Sequence, residues 1–327
     1  MRIATYNSEL KRDGPGLLLR DIVRGEDPQV AAVVQMIASV QPDILVLQNV
    51  DYDLELRALL ALRAALADAG VHYGTVFARR PNTGRATGLD MDGDGRLGEP
   101  EDTHGFAAFA GQGGMAVLSR YPVMVEGVQD FTALLWRDIP NALLPIYADG
   151  TPFPDKQAQA ALRLGTVAQW AVPIRHPTGP ITLLTFHANP PVFDGPEDRN
   201  GRRNHDQLRF WRHYMDGTFG SAPEQRFVVL GHANQDPVRG EGIKAGIGGL
   251  LADPRLQDPK PARPGMVDAP YATVHWPRVT PSIQRVSYVL PSRDWQVADS
   301  GVYWPMDDPR IDIASRHRIV WVDLLVD

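Results

Sequence analysis

Two stretches of the chain carry residue types spaced for chemistry. Residues 90 to 101, DMDGDGRLGEPE, fit the calcium-loop pattern D-x-D/N-x-D/N-G-x5-E at every fixed position. Asp90, Asp92 and Asp94 take the first three ligand positions, Gly95 makes the sharp turn, the Arg96 carbonyl is the next ligand and Glu101 closes the loop bidentately. The flanking Gly88, Pro100 and Gly105 are not helix formers, so the stretch reads either as an isolated calcium loop stapling a long insertion or as a solvated acidic turn. The second stretch is VVLGHANQD, residues 228 to 236. Three apolar residues and a glycine bring His232 to the end of a strand, with Asn234 and Asp236 behind it. Neutral imidazole suits Zn²⁺, Ni²⁺, Cu²⁺ or Fe²⁺ better than Mg²⁺.

The elements that must position these residues are mostly strands. Short β-branched runs bounded by Gly, Pro, Asn or Asp predict strands at Arg2–Tyr6, Asp43–Gln48, Tyr73–Phe77, Met115–Leu118, Thr166–Pro173, Ile181–Phe186, Phe227–Leu230, Val286–Leu290, Gly301–Trp304 and Arg318–Leu325. Apolar residues at i, i+3, i+4 spacing predict helices at Gln29–Ser39, Leu54–Ala69 and Asn204–Tyr214. Strands and helices mix from end to end with no linker or composition shift, which predicts one α/β domain over 1–327. Many of the 28 prolines and 30 glycines fall in connections such as Pro81–His104, giving a long inserted loop at about 80–105, and Pro190–Arg203.

Composition narrows the partners. With 43% hydrophobic and 22% charged residues the chain has a globular make-up, and no run of apolar residues is long enough to span a bilayer. A net charge of −6 argues against a general grip on nucleic-acid backbone, and no aromatic row alternates with Lys and Arg. The tryptophans read as core and rim packing. The absence of cysteine removes disulfides, thiolate ligands and thiol nucleophiles together. Met1 stands directly on the first strand pattern, so the expected location is cytoplasmic, or periplasmic or secreted where a leader has been removed. The oligomeric state is left open.

RIATYN, QPDILVLQNVD, GGMAVLSRYPV, TFHANPPVFD, VVLGHANQD, RVSYVLPS and SRHRIVWVDL stand in an order that resembles the endonuclease/exonuclease/phosphatase superfamily over essentially the whole chain. PPVFDGPEDRNGRRN resembles a bacterial, phosphatase-annotated branch of it. The resemblance implies a four-layer α/β/β/α sandwich, two mixed β-sheets face to face with helices outside, and phosphoester hydrolysis by a water activated on Mg²⁺ or Mn²⁺. It also implies that Asn7, Asn234, His187 and His317 hold family catalytic positions. Where the family carries acids, this chain has Asn49, His232, Ser287 and Arg316. Each replacement removes an oxygen ligand, a base or a histidine-orienting acceptor, so Mg²⁺ and ordinary Mg²⁺-dependent nuclease activity are not expected.

By the family's geometry His187, His232 and His317 face one another. One expectation is a transition-metal centre, Zn²⁺ or another, whose bound water hydrolyses a small anionic or phosphorylated substrate, with Arg316, Asn49 and Asn189 binding it. The alternative is an inactive relative that binds a ligand or partner, in which His232 hydrogen-bonds Asn49 or Ser287. A third places a phosphate or carboxylate on Arg316, His187, His317 and Asn234, unless Arg316 is solvated or pairs with an acid such as Asp312. The segment Asp194–Asn204 reads as pocket-lining or as a self-paired charged loop whose Asn204 caps the next helix.

Overall fold

Strand runs that are apolar at every position must bury both faces. The computed structural model describes residues 1–305 and 307–326 and shows how this is achieved. In chain order the strands are β1 (Arg2–Leu10), β2 (Ile44–Val50), β3 (Thr75–Phe77), β4 (Gly114–Ser119), β5 (Gln129–Asp130), β6 (Gln169–Ile174), β7 (Ile181–His187), β8 (Phe227–His232), β9 (Val274–His275), β10 (Ile283–Gln284), β11 (Ser287–Pro291), β12 (Val297–Tyr303) and β13 (Ile319–Leu324). The helices are α1 (Leu17–Arg24), α2 (Pro28–Val40), α3 (Arg57–Asp68), α4 (Lys156–Ala161), α5 (Arg199–Met215), α6 (Ala245–Leu251) and α7 (Arg310–Ala314). One sheet runs β12-β13-β1-β2-β4-β3 and the other β11-β8-β7-β6-β5, with β9 and β10 as a separate ribbon. Both sheets are mixed: β1 is parallel to β2 and antiparallel to β13, and β7 is parallel to β8 and antiparallel to β6.

Alternation along each strand sorts the apolar residues into layers. In β2, Ile44 and Val46 enter the seam between the sheets while Leu45 and Leu47 join the core under α1, α2 and α3. In β8, Val228 and Leu230 enter the seam while Val229 packs with Trp211 of α5 and Ile247 of α6. Three apolar layers between four structural layers give the expected α/β sandwich. Local signals set the helix ends: Asp27 caps α2 by accepting from the Val30 amide, with Pro28 in the first turn, and Asp53 accepts from the amides of Arg57 and Ala58 at the start of α3.

Two expectations need correction. α5 begins at Arg199 rather than Asn204, because Arg199–Arg203 offers no apolar periodicity to read, and its buried Arg203 continues the helix through hydrogen bonds to distant carbonyls. Asn204 is therefore no cap. It sits inside the helix and donates to the carbonyls of Asn189 (2.7 Å) and Ala233 (2.8 Å).

Candidate functional site

The alternating rows that fill the seam end together in polar residues. Asn7 follows Ile3 and Thr5 on β1, His187 follows Leu183 on β7, His232 follows Leu230 on β8, and Ser287 precedes Val289 on β11. Register then fixes neighbours: His187 lies opposite His232 across the parallel pair, and Ser287 opposite His232 across the antiparallel one. His317 arrives just before β13, held by a bridge to Val274. The structure thus brings the three histidines to one end of the seam, which we call the mouth.

His232 stands in the middle. Its ring centroid is 5.2 Å from that of His187 and 4.6 Å from that of His317, with interplanar angles of 72° and 90°. Trp276 packs edge-on to the far side of His317 at 5.7 Å. These are edge-to-face spacings, normal for packed rings. His232 Nδ1 lies 3.1 Å from Ser287 Oγ, while Nδ1 of His187 and of His317 is buried with no hydrogen-bond partner among the described residues. One nitrogen from each of the three rings does not fall within 4.8 Å of the other two among the described residues. Burial holds all three imidazoles neutral. It lowers His187 well below its ordinary pKa, helped by His232 and Lys11, lowers His317 likewise, helped by His232 and Arg316, and takes His232 to about 4.

The mouth also holds a carboxylate that the sequence motifs passed over. Glu9 sits two residues beyond Asn7 at a positive φ of 51°. It accepts from the Arg316 amide (2.8 Å), from Arg316 Nε (2.9 Å) and Nη2, and from Ser315 Oγ (3.1 Å). Burial pushes the Glu9 carboxyl up, but the Arg316 and Ser315 hydrogen bonds outweigh it and hold it below the carboxylate range. Asp312, the partner suggested by proximity in sequence, pairs with Arg318 instead at 2.7 Å. The Arg316 pairing spans 307 positions, which no local pattern reveals.

The asparagines divide in role. Asn49, also at positive φ, donates Nδ2 to Asn7 Oδ1 at 2.9 Å, so these two face the mouth as a pair. Asn234 Nδ2 donates to the Ala188 carbonyl at 2.7 Å, tying the ends of β7 and β8. Asn189 uses its amide group on the carbonyls of Pro190 and Asn200, fastening the loop to α5. Just past Asn49, Asp51 accepts from the amides of Gly113 and Arg12, both at 2.9 Å, and burial raises its pKa to about 6. Asp51, Tyr52, Arg57, Arg80, Leu18 and Phe109 are among the residues lining a cleft of about 440 Å³.

The acidic loop has a different closure from the one its sequence suggests. Asp90 accepts from the amides of Gly93 and Gly95, as a calcium loop requires, but the three carboxylates that approach within 4.8 Å of one another are Asp90, Asp92 and Asp102. Asp94 turns to the Arg96 amide, and Asp102, fixed by the amides of Met91 and Gly98, stands where Glu101 was expected. Pro100–Asp102 form a short helical turn, and Glu101 is not one of the three acids that converge.

Comparison with known proteins supports the same architecture. The Endonuclease/Exonuclease/phosphatase family model matches residues 4–317. No curated protein matches the sequence. Among solved structures, an endonuclease/exonuclease/phosphatase from Beutenbergia cavernae is similar with TM-score 0.59 at 20% identity, covering 100% of this chain and 71% of that one. Sphingomyelinase C from Streptomyces griseocarneus is similar at 0.53 and 17%, covering 98% of each chain. Beta toxin from Staphylococcus aureus, in a structure with bound magnesium ions, is similar at 0.52 and 10%, also covering 98% of each. These structural likenesses carry the fold, and with a family match over nearly the whole chain they lead to one conclusion: the protein belongs to the endonuclease/exonuclease/phosphatase family.

Proposed function

We propose that this family member binds a small anionic or phosphorylated molecule and does not carry out Mg²⁺-dependent hydrolysis. The observation that carries the reading is the Glu9–Arg316 pair. Mg²⁺ requires near-octahedral oxygen ligands, chiefly carboxylates. At the mouth, Asn49, His232, Ser287 and Arg316 offer no carboxylate, and Glu9 is already neutralised by Arg316. The residues present therefore do not fit that ion. The cleft just past Asn49 in the chain is lined by Arg57 and Arg80 and has the volume of a small-molecule site. The test is hydrolysis of a chromogenic phosphodiester with Mg²⁺ and Mn²⁺. Turnover equal to buffer supports the reading, and turnover lost on Asn7→Ala overturns it.

A second reading has its own observation. The buried Nδ1 atoms of His187 and His317 have no hydrogen-bond partner among the described residues, and a neutral imidazole carries one lone pair with which to bind Zn²⁺. A transition-metal centre at His187, His232 and His317 needs the outer rings to converge beyond their present packing, and a metal-bound water would then be the hydrolytic nucleophile. Stoichiometric Zn²⁺ uptake lost on His187→Ala favours it. The acidic loop is a third, structural element: Asp90, Asp92 and Asp102 are the residues to hold Ca²⁺ and pin the insertion.

A further inference from the structure

Beside the histidines lies a group of cations that the reading above leaves unused. β6 pairs its first residue, Gln169, with Phe186, next to His187, so the chain leading into β6 lies at the mouth end of its sheet. There Arg203 of α5, only 5% exposed, donates Nε to the Leu164 carbonyl (3.0 Å) and Nη2 to the carbonyls of His104 (2.8 Å) and Arg163. The His104 amide in turn donates to the Arg85 carbonyl at 3.0 Å. Backbone contacts therefore gather four residues from three distant segments. Each of the four, Arg85, His104, Arg163 and Arg203, has a cationic or protonatable side chain.

Among the described residues none of the three arginines forms a salt bridge with a carboxylate. The charges bearing on His104 are those of Arg163, Arg203 and Arg85, with no carboxylate among them, and Arg163 and Arg203 each feel a further arginine. Arg163 spends Nη1 on Asn82 Oδ1 at 2.8 Å. Among the described residues the half-buried Arg85 guanidinium has no hydrogen-bond partner, and the buried His104 Nδ1 has none either. Taking guanidinium groups out of water beside like charges is unfavourable unless an anion joins them.

We propose that Arg85, Arg163 and His104, backed by Arg203, bind a phosphate group. Two planar guanidiniums can each offer a fork of N–H donors, and the imidazole adds a donor from another side. A tetrahedral dianion takes donors from several directions and offsets more than one positive charge, whereas a flat monoanionic carboxylate leaves most of the cluster uncompensated. The site does not depend on what happens at the mouth.

The experiment is calorimetric titration of the full chain at neutral pH and low salt with inorganic phosphate and, separately, phenyl phosphate. The expected result is one-to-one binding of inorganic phosphate in the range of about 1 mM or tighter, weakened about tenfold by Arg85→Gln and abolished by Arg85→Glu. Because the Arg85 side chain makes no hydrogen bond or salt bridge among the described residues, both variants are expected to keep the wild-type melting temperature. The His104 ring resonances shift on saturation in wild type and stay fixed in Arg85→Glu. Phenyl phosphate binding as well extends the site to phosphorylated molecules, and its exclusion restricts the site to the free ion; either upholds it. Absence of binding at about 10 mM phosphate, or an affinity indifferent to Arg85→Glu but reduced by Arg316→Met, overturns the proposal. Neither result bears on the phosphodiesterase test of the mouth, so the two fail separately.

Discussion

Replacing Arg316 with Met tests whether the Glu9 carboxylate at the mouth is committed to an ion pair. The side chain gives Glu9 two of its hydrogen bonds, through Nε and Nη2, and leaves the Arg316 amide and Ser315 Oγ in place. Hydrogen bonds to a buried charged group contribute about 1.5–3 kcal/mol. The Arg316 side chain is 59% exposed, against 14% for Glu9, so solvent screening brings the pair down to about 1–2 kcal/mol. For a chain of this length that lowers the melting temperature by roughly 2–4 °C. The pH sign follows from the depressed Glu9 carboxyl: the stabilisation is present above the ordinary carboxylate range and disappears as pH falls through the folded-state value. Urea unfolding, followed by tryptophan fluorescence, should show Arg316→Met below wild type at neutral pH and the two converging as pH falls below the ordinary carboxylate range. Glu9→Gln and the double variant complete the cycle and isolate the pairwise part. Equal midpoints at neutral pH would refute the pairing.

Other predictions concern the histidines, the acidic loop and the missing acids. His232 has its folded pKa lowered to about 4, so its contribution is present above the unfolded value and is lost as pH falls below it; from pH 7 to about pH 5 the loss is about 2 kcal/mol for this ring alone. Asp51, raised to about 6, works the other way by a little more than about 1 kcal/mol, and His187 and His317 add to the loss, so unfolding midpoints should drop on acidification, with a flat profile contradicting buried neutral rings. Calcium should raise the melting temperature, an effect removed by Asp102→Asn and kept by Glu101→Gln; the reverse pattern restores the closure read from sequence. Combining Asn49→Glu, His232→Asp, Ser287→Asp and Arg316→Asp should confer Mg²⁺-dependent phosphodiesterase activity above the wild-type background, and inactivity of the folded variant means more than these four residues separates this chain from active relatives.

Much of the architecture was legible because it rests on period and order. Runs such as FVVLG and DILVLQ have apolar residues at consecutive positions, which only a strand buried on both faces explains, and seven ordered blocks set their arrangement. Polar burial was not legible. The missed start of α5, Arg199–Arg203, carries no apolar side chain, and its buried Arg203 is held by hydrogen bonds to distant carbonyls in place of apolar packing. The histidines were found because each ends a strand motif. Glu9 was missed because the motif reading stopped at Asn7, although the polar run Asn7-Ser8-Glu9 at a strand end was a usable signal. Its pairing with Arg316, like the gathering of Arg85, His104, Arg163 and Arg203, joins remote parts of the chain and needs the folded backbone.

The claim that the mouth holds no divalent oxygen-ligand site is tested most directly by Mn²⁺ electron paramagnetic resonance. The protein should carry Asp90→Asn, Asp92→Asn and Asp102→Asn, so that the acidic loop contributes no signal. With Glu9 held by Arg316, and Asp51 just past β2 held by the Arg12 and Gly113 amides, the prediction is no bound Mn²⁺ up to about 1 mM. One bound ion per chain that disappears on Glu9→Gln or Asn7→Ala contradicts the account.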